Sequence, residues 1–131
     1  MSNRFSNYLA NKELNLLFKQ VAYATPTIYV ALSTADPGDD AAGMAEPVGN
    51  NYSRVATATT DWNTSTVRSI SNANALIFPA ASGNWGTISY FALYDQATGG
   101  NCLGSGQISP AQAVISGNTM EIDVGGATIT L

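Results

Sequence analysis

Apolar side chains recur at helical spacing over the first twenty residues. Phe5 to Val21 contains neither Gly nor Pro, and Ser2 or Asn3 offers an N-cap, so the pattern predicts a helix over about 3–21. At about 100° per residue, Ala10, Leu14, Leu17, Phe18 and Val21 share one stripe, and Phe5, Leu9 and Leu16 form a second roughly 140° away. Asn11, Asn15, Lys12 and Lys19 occupy the polar side. Packing on a sheet needs only one stripe. The second is expected to touch a neighbouring subunit or to lie under a loop of the same chain, and Phe5, Leu9 and Leu16 are the candidate outward contact.

Beyond Pro26 the period changes to two. Ile28, Val30 and Leu32 alternate with Tyr29, Ala31 and Ser33, the mark of a strand. Residues 35–49, rich in Asp, Gly, Pro and Ala, are expected to be an extended surface loop. Strand character returns over 52–60, 67–71 and 76–78. It is strongest over Gly86–Asp95, where both alternating sets are apolar, which predicts a strand in the middle of the sheet. Thr98-Gly99-Gly100-Asn101 supplies the positive φ of a hairpin turn. Shorter strands follow over 103–108, 113–115, 120–124 and 127–131, with Met120, Ile122 and Val124 expected inward. Short strands broken every eight to twelve residues predict a mainly β, antiparallel β-sandwich or jelly-roll-like domain. It would span about 26–131, with one N-terminal α-helix, the whole of 1–131 forming a single domain.

Composition narrows what such a domain could do. Charged residues make up 11% of the chain, against roughly 25% in an average soluble domain. Solubility falls instead to Asn, Ser and Thr, about a quarter of the chain. Burying neutral polar groups costs less than burying charge, so such surfaces suit packing beside other proteins. The net charge is −4 and the five basic residues are scattered, which argues against nucleic acid as a partner. No apolar stretch suits a membrane span or a signal peptide, so use in the cytoplasm, or assembly there into something larger, is expected.

Candidate chemistry is sparse. With no histidine, the commonest general base and metal ligand is missing. Paired carboxylates could serve a glycosidase, and Glu121 with Asp123, or Asp61 with Asp95, are the candidates. Glu121 and Asp123 alternate with apolar residues as a solvated strand face would, so no enzyme activity is expected. Asp36-Pro37-Gly38-Asp39-Asp40 lacks the ligand spacing and terminal glutamate of a calcium loop. No metal or cofactor is expected. Cys102, the single cysteine, excludes an internal disulfide and reads as a small buried filler. Trp62 lies in a polar segment and is a candidate glycan contact, whereas Trp85 opens the strongest strand and is expected in the core.

A resemblance then becomes visible in an ordered set of segments: Tyr29-Val30-Ala31-Leu32-Ser33-Thr34, Tyr52-Ser53-Arg54, Phe78-Pro79 and Asn84-Trp85-Gly86-Thr87-Ile88. It continues through Phe91-Ala92-Leu93-Tyr94-Asp95, Leu103-Gly104-Ser105-Gly106, Ser116-Gly117-Asn118-Thr119 and Gly126-Ala127-Thr128-Ile129-Thr130-Leu131. Across nearly the whole chain this resembles a family of small bacteriophage virion structural proteins, often labelled tail fibre proteins. The resemblance implies a structural component of the virion. Because the chain has no long shaft, the first expectation is a capsid decoration or cement protein. The alternative is a tail or tail-fibre component that binds a host glycan. The implied partners are a major capsid or tail protein and further copies of the chain, in a homo-oligomer such as a trimer.

Overall fold

Alternation along Tyr29–Ser33 (β2) sends Val30 and Leu32 to one face and Ala31 to the other. The computed structural model describes residues 3–131, and β2 is one strand of a five-stranded antiparallel sheet within it. The other strands are Arg4–Phe5 (β1), Val55–Ala56 (β3), Gly86–Tyr94 (β6) and Cys102–Val114 (β7), in the order β1-β7-β6-β2-β3. Two short ladders complete the β structure. Ser69–Ser71 (β4) pairs with Thr128–Thr130 (β9), and Leu76–Ala80 (β5) pairs with Thr119–Ile122 (β8). The core joins Val30, Leu32, Phe91 and Leu103 of the sheet to Phe78, Met120, Ile122 and Ile129 of the ladders. The protein is therefore mainly β, layered in the manner of a sandwich, with one N-terminal helix.

As its doubly apolar pattern predicts, β6 lies inside the sheet, between β7 and β2. The simple alternation fails within it, however. Ile88 joins Phe91 and Leu93 on the core face because the pairing with β7 shifts register between Ile88 and Tyr90. Across that stretch β6 advances two residues while β7 runs five, from Gln112 to Gln107, so the regular ladder is interrupted there. On the far face, Ala31, Ala92, Tyr94 and Cys102 are covered by Ala41 and Met44 of the loop 35–49. That loop is held closely. Ser33 Oγ accepts the backbone N–H groups of Ala35 and Ala45 (3.2 and 3.0 Å), and Pro37 is buried. Gly43 has no room for a side chain, since a Cβ there would stand 2.2 Å from the Asp36 carbonyl oxygen.

The N-terminus differs from the helical expectation. Arg4 and Phe5 extend to pair with Ser105 and Gly104 of β7, and Ser6 caps the helix through a 3.1 Å bond from the Leu9 N–H. The helix (α1) runs Asn7–Phe18. Of the two expected caps, Ser2 lies outside the described residues. Asn3 instead serves the sheet, accepting the Gln107 N–H on Oδ1 and the Thr130 N–H on its carbonyl. A free strand edge on β7 competes with the helix for these residues and wins, since pairing satisfies backbone groups that a longer helix would leave open.

Val124, expected inward, is 62% exposed, because β8 ends at Ile122 and a turn follows. The turn before β4 is also unusual. Val67 and Arg68 both hold positive φ (45° and 62°), and Thr66 and Ser69 bond reciprocally across them. This geometry favours Asn-Gly, and a β-branched residue is strained in it. Replacing Val67-Arg68 by Asn-Gly is expected to stabilise the protein by about 1 kcal/mol, read as a higher urea midpoint. A lower midpoint would show that the native pair makes a compensating contact.

Candidate functional site

The first half of α1 seats on the protein and the second half leaves it. Tyr8 and Leu9 pack against the core, while no residue of the helix is fully buried. Toward its end Leu14, Leu16, Leu17 and Phe18 are 55, 42, 71 and 73% exposed, with Val21 at 55%. Gln20 then adopts a left-handed φ of 55°, and the Val21 N–H bonds back to the Asn15 carbonyl at 3.1 Å. With a left-handed residue just before it, this back-bond closes the C-terminus of the helix. It fixes the chain at the end of the apolar helix segment.

Exposure divides the two stripes differently from that expectation. Phe5 lies on β1 rather than in the helix, and both Phe5 and Leu9 are half-buried against the core. Only Leu16 of that set is exposed. Leu14, Leu17 and Phe18, expected to face the sheet, face outward. The wheel gives two apolar faces of comparable strength, and its period cannot say which one meets the sheet.

Phe5, Leu9 and Trp62, singled out separately from the sequence, come together in one place. They wall an open apolar groove of about 480 Å³ whose lining includes Leu93, Leu103 and Ile129. Its polar margin is formed by Thr59, Asn63 and Thr64. Trp62 donates its ring N–H to Thr57 Oγ1 at 3.0 Å and packs on the core cluster. A sugar at this place would therefore meet only ring surface, with the indole donor already committed. Trp85 is 5% exposed, bonds Asn50 O at 2.9 Å and meets Tyr52 edge-on, as its core expectation requires.

The acidic candidates are engaged in local structure. Asp61 accepts the Ala58 N–H and an Asn74 side-chain N–H, and these bonds hold its carboxyl below the usual carboxylate range. Asp95 accepts the backbone and side-chain N–H groups of Asn101 and closes the β6–β7 hairpin. Glu121 stands on β8 opposite Ile77 of β5, with Asp123 in the following turn. In the loop 35–49, Asp36 and Asp40 accept the Gly38 and Ala42 N–H groups, while Asp39 pairs with Arg4. Among the described residues no three His, Cys, Asp or Glu side chains converge as a metal ion would require. Cys102 is buried, and burial pushes its thiol pKa up, the opposite of an activated nucleophile.

Pattern reading missed one further centre. Arg54 forks onto both oxygens of Glu46 (2.8 and 2.9 Å), donates to the Gln96 and Gly99 carbonyls, and stacks 3.9 Å from the Tyr94 ring centroid. Tyr52 O–H also donates to Glu46. The Tyr94 phenol is pushed up to about 12, first by burial and next by the Cys102 thiol, while the Arg54 charge opposes the shift. The only sequence signal was an isolated arginine in a charge-poor chain.

Residues 4–130 match the family model described as Podophage GP4 fiber I protein gp80. Among curated proteins, none matches the chain.

Proposed function

The chain belongs to the podophage GP4 fiber I protein gp80 family, and from that premise we propose that it is a non-catalytic fibre component of the phage particle. It works by burying apolar surface against neighbouring virion proteins. The observation that supports this is the outward apolar end of α1, where Leu17 and Phe18 are each more than two thirds exposed. Apolar clusters of that kind mark interaction sites on otherwise polar proteins. The family description favours a fibre position over the capsid decoration role expected from the sequence, for which no comparable observation speaks. Among the described residues no helix is long and apolar enough to cross a membrane.

Leu17→Ser combined with Phe18→Ser is expected to lower incorporation into particles at least tenfold while leaving the isolated fold intact, since neither side chain packs inside. Immunoblotting of purified virions reads the first effect and urea unfolding the second. Undiminished incorporation would remove the helix end from the proposal. A cryo-electron microscopy map should place the chain at the tail fibres. Density on the capsid surface would restore the decoration role instead.

A further inference from the structure

Arg68 and the groove at Phe5 belong to one surface, and we propose that it anchors a short acidic segment of a neighbouring virion protein: an apolar side chain enters the groove and an adjoining carboxylate pairs with Arg68. This rests on the fibre reading and names the chemistry of one partner. It requires room for one side chain and not a broad junction, which a groove of about 480 Å³ provides.

The apolar floor continues to the arginine. Phe5, Ile70 and Ile129 line the groove and also a smaller cleft of about 140 Å³, which Ser65 and Arg68 help to close. No acidic or basic residue lines the groove itself. Arg68 therefore sets the charge that the joined site presents.

That charge calls for an anion. Arg4 pairs with Asp39 and Arg54 with Glu46, whereas Arg68 pairs with no carboxylate among the described residues. A guanidinium can fork onto a carboxylate through two parallel hydrogen bonds. The backbone that carries it is strained. Val67 and Arg68 hold left-handed φ values of 45° and 62°, in a turn that Asn-Gly would make without strain. Strain of this kind clusters where a side chain is held for function, and here it sets Arg68 beside the groove.

The rim suits a peptide better than a lipid chain. Thr59 and Thr64 at the groove and Ser65 at the cleft have hydroxyls without a partner among the described residues. Such hydroxyls both donate and accept, so they can meet backbone amides and carbonyls. An acyl chain offers them nothing, and an open groove leaves its remainder in water.

The experiment titrates the purified full chain with anilinonaphthalene sulfonate, an apolar probe with one anionic group, and with phenylnaphthylamine, its uncharged parent. Both should bind with enhanced emission. Arg68→Gln should weaken the sulfonate about fivefold and leave the uncharged probe unchanged. Replacing Val67-Arg68 by Asn-Gly should weaken the sulfonate equally while raising the urea midpoint, so the loss cannot come from misfolding. Leu17→Ser with Phe18→Ser should leave sulfonate binding in place, because the helix end does not line the groove. The capped dipeptide Phe-Glu should displace the sulfonate at lower concentration than capped Phe-Gln, and Arg68→Gln should abolish that preference. A wild type that binds neither probe overturns the inference, as does an Arg68→Gln variant that keeps both or loses both equally. Equal displacement by the two peptides overturns it as well. So does sulfonate binding that disappears in the helix-end variant, or displacement by decanoate at lower concentration than by Phe-Glu. A particle that carries the chain outside its fibres overturns the fibre position and leaves these titrations unchanged, so the two fail separately.

Discussion

Asn72→Ala is expected to lower the unfolding free energy by about 3–5 kcal/mol. Asn72 is fully buried at the end of β4. Its side-chain N–H groups donate to the Asn74 and Asp123 carbonyls, each at 2.9 Å, and its Oδ1 accepts the Ala127 N–H at 2.9 Å. Its backbone adds bonds to Ala127 O and from the Gly125 N–H. One side chain thus supplies partners for the turn that carries β8 into β9. Alanine would leave two carbonyls and one amide without those partners, each costing about 1–3 kcal/mol where water cannot replace the bond. Total stability for a domain of this size is of order 5–15 kcal/mol, so the loss is a large share of it. Urea unfolding followed by tryptophan emission measures the effect. A change below about 1 kcal/mol would mean that water enters the site and satisfies the exposed groups.

Arg54→Ala ranks next, with an expected loss of about 2–4 kcal/mol. The arginine side chain is 6% exposed and that of Glu46 is 23%, so the pair is only partly screened by solvent. Removing the guanidinium leaves Glu46 half-buried with the Tyr52 hydroxyl. It also frees the Gln96 and Gly99 carbonyls and strips the cation from the Tyr94 ring. Glu46 belongs to the loop 35–49 and the two carbonyls to the β6–β7 turn, so the arginine ties two distant segments to β3. Arg54→Lys keeps the charge but not the fork, and a point charge cannot reach the same set of acceptors. It should therefore recover less than half of the loss. Hydrogen exchange should show faster opening of residues 35–49 in the alanine variant than in wild type. Equal exchange in that loop would show that Ser33 and the buried Pro37 hold it without the arginine.

Some features were legible because they are written in local order. Alternation marked β2 and β6, the paired glycines marked the β6–β7 hairpin, and Met120 and Ile122 faced inward as their spacing required. The mainly β class followed from these. Phage membership was legible too, through ordered segments and not through chemistry. Of the candidate site, the sequence supplied the members Phe5, Leu9 and Trp62 but neither their orientation nor their meeting. Two apolar stripes on one helix are equivalent by period. Which of them docks depends on Phe5 leaving the helix to pair with Gly104 of β7, a partner 99 positions away. The phase of Ile88 depends on a register shift against β7, and the burial of Asn72 on bonds to residues about fifty positions further on. Local spacing along the chain thus marked the body of the helix and the main strands, β2 and β6. Only tertiary pairing decided which faces turn inward, because the competing arrangements have the same period and differ only in what distant segments offer them.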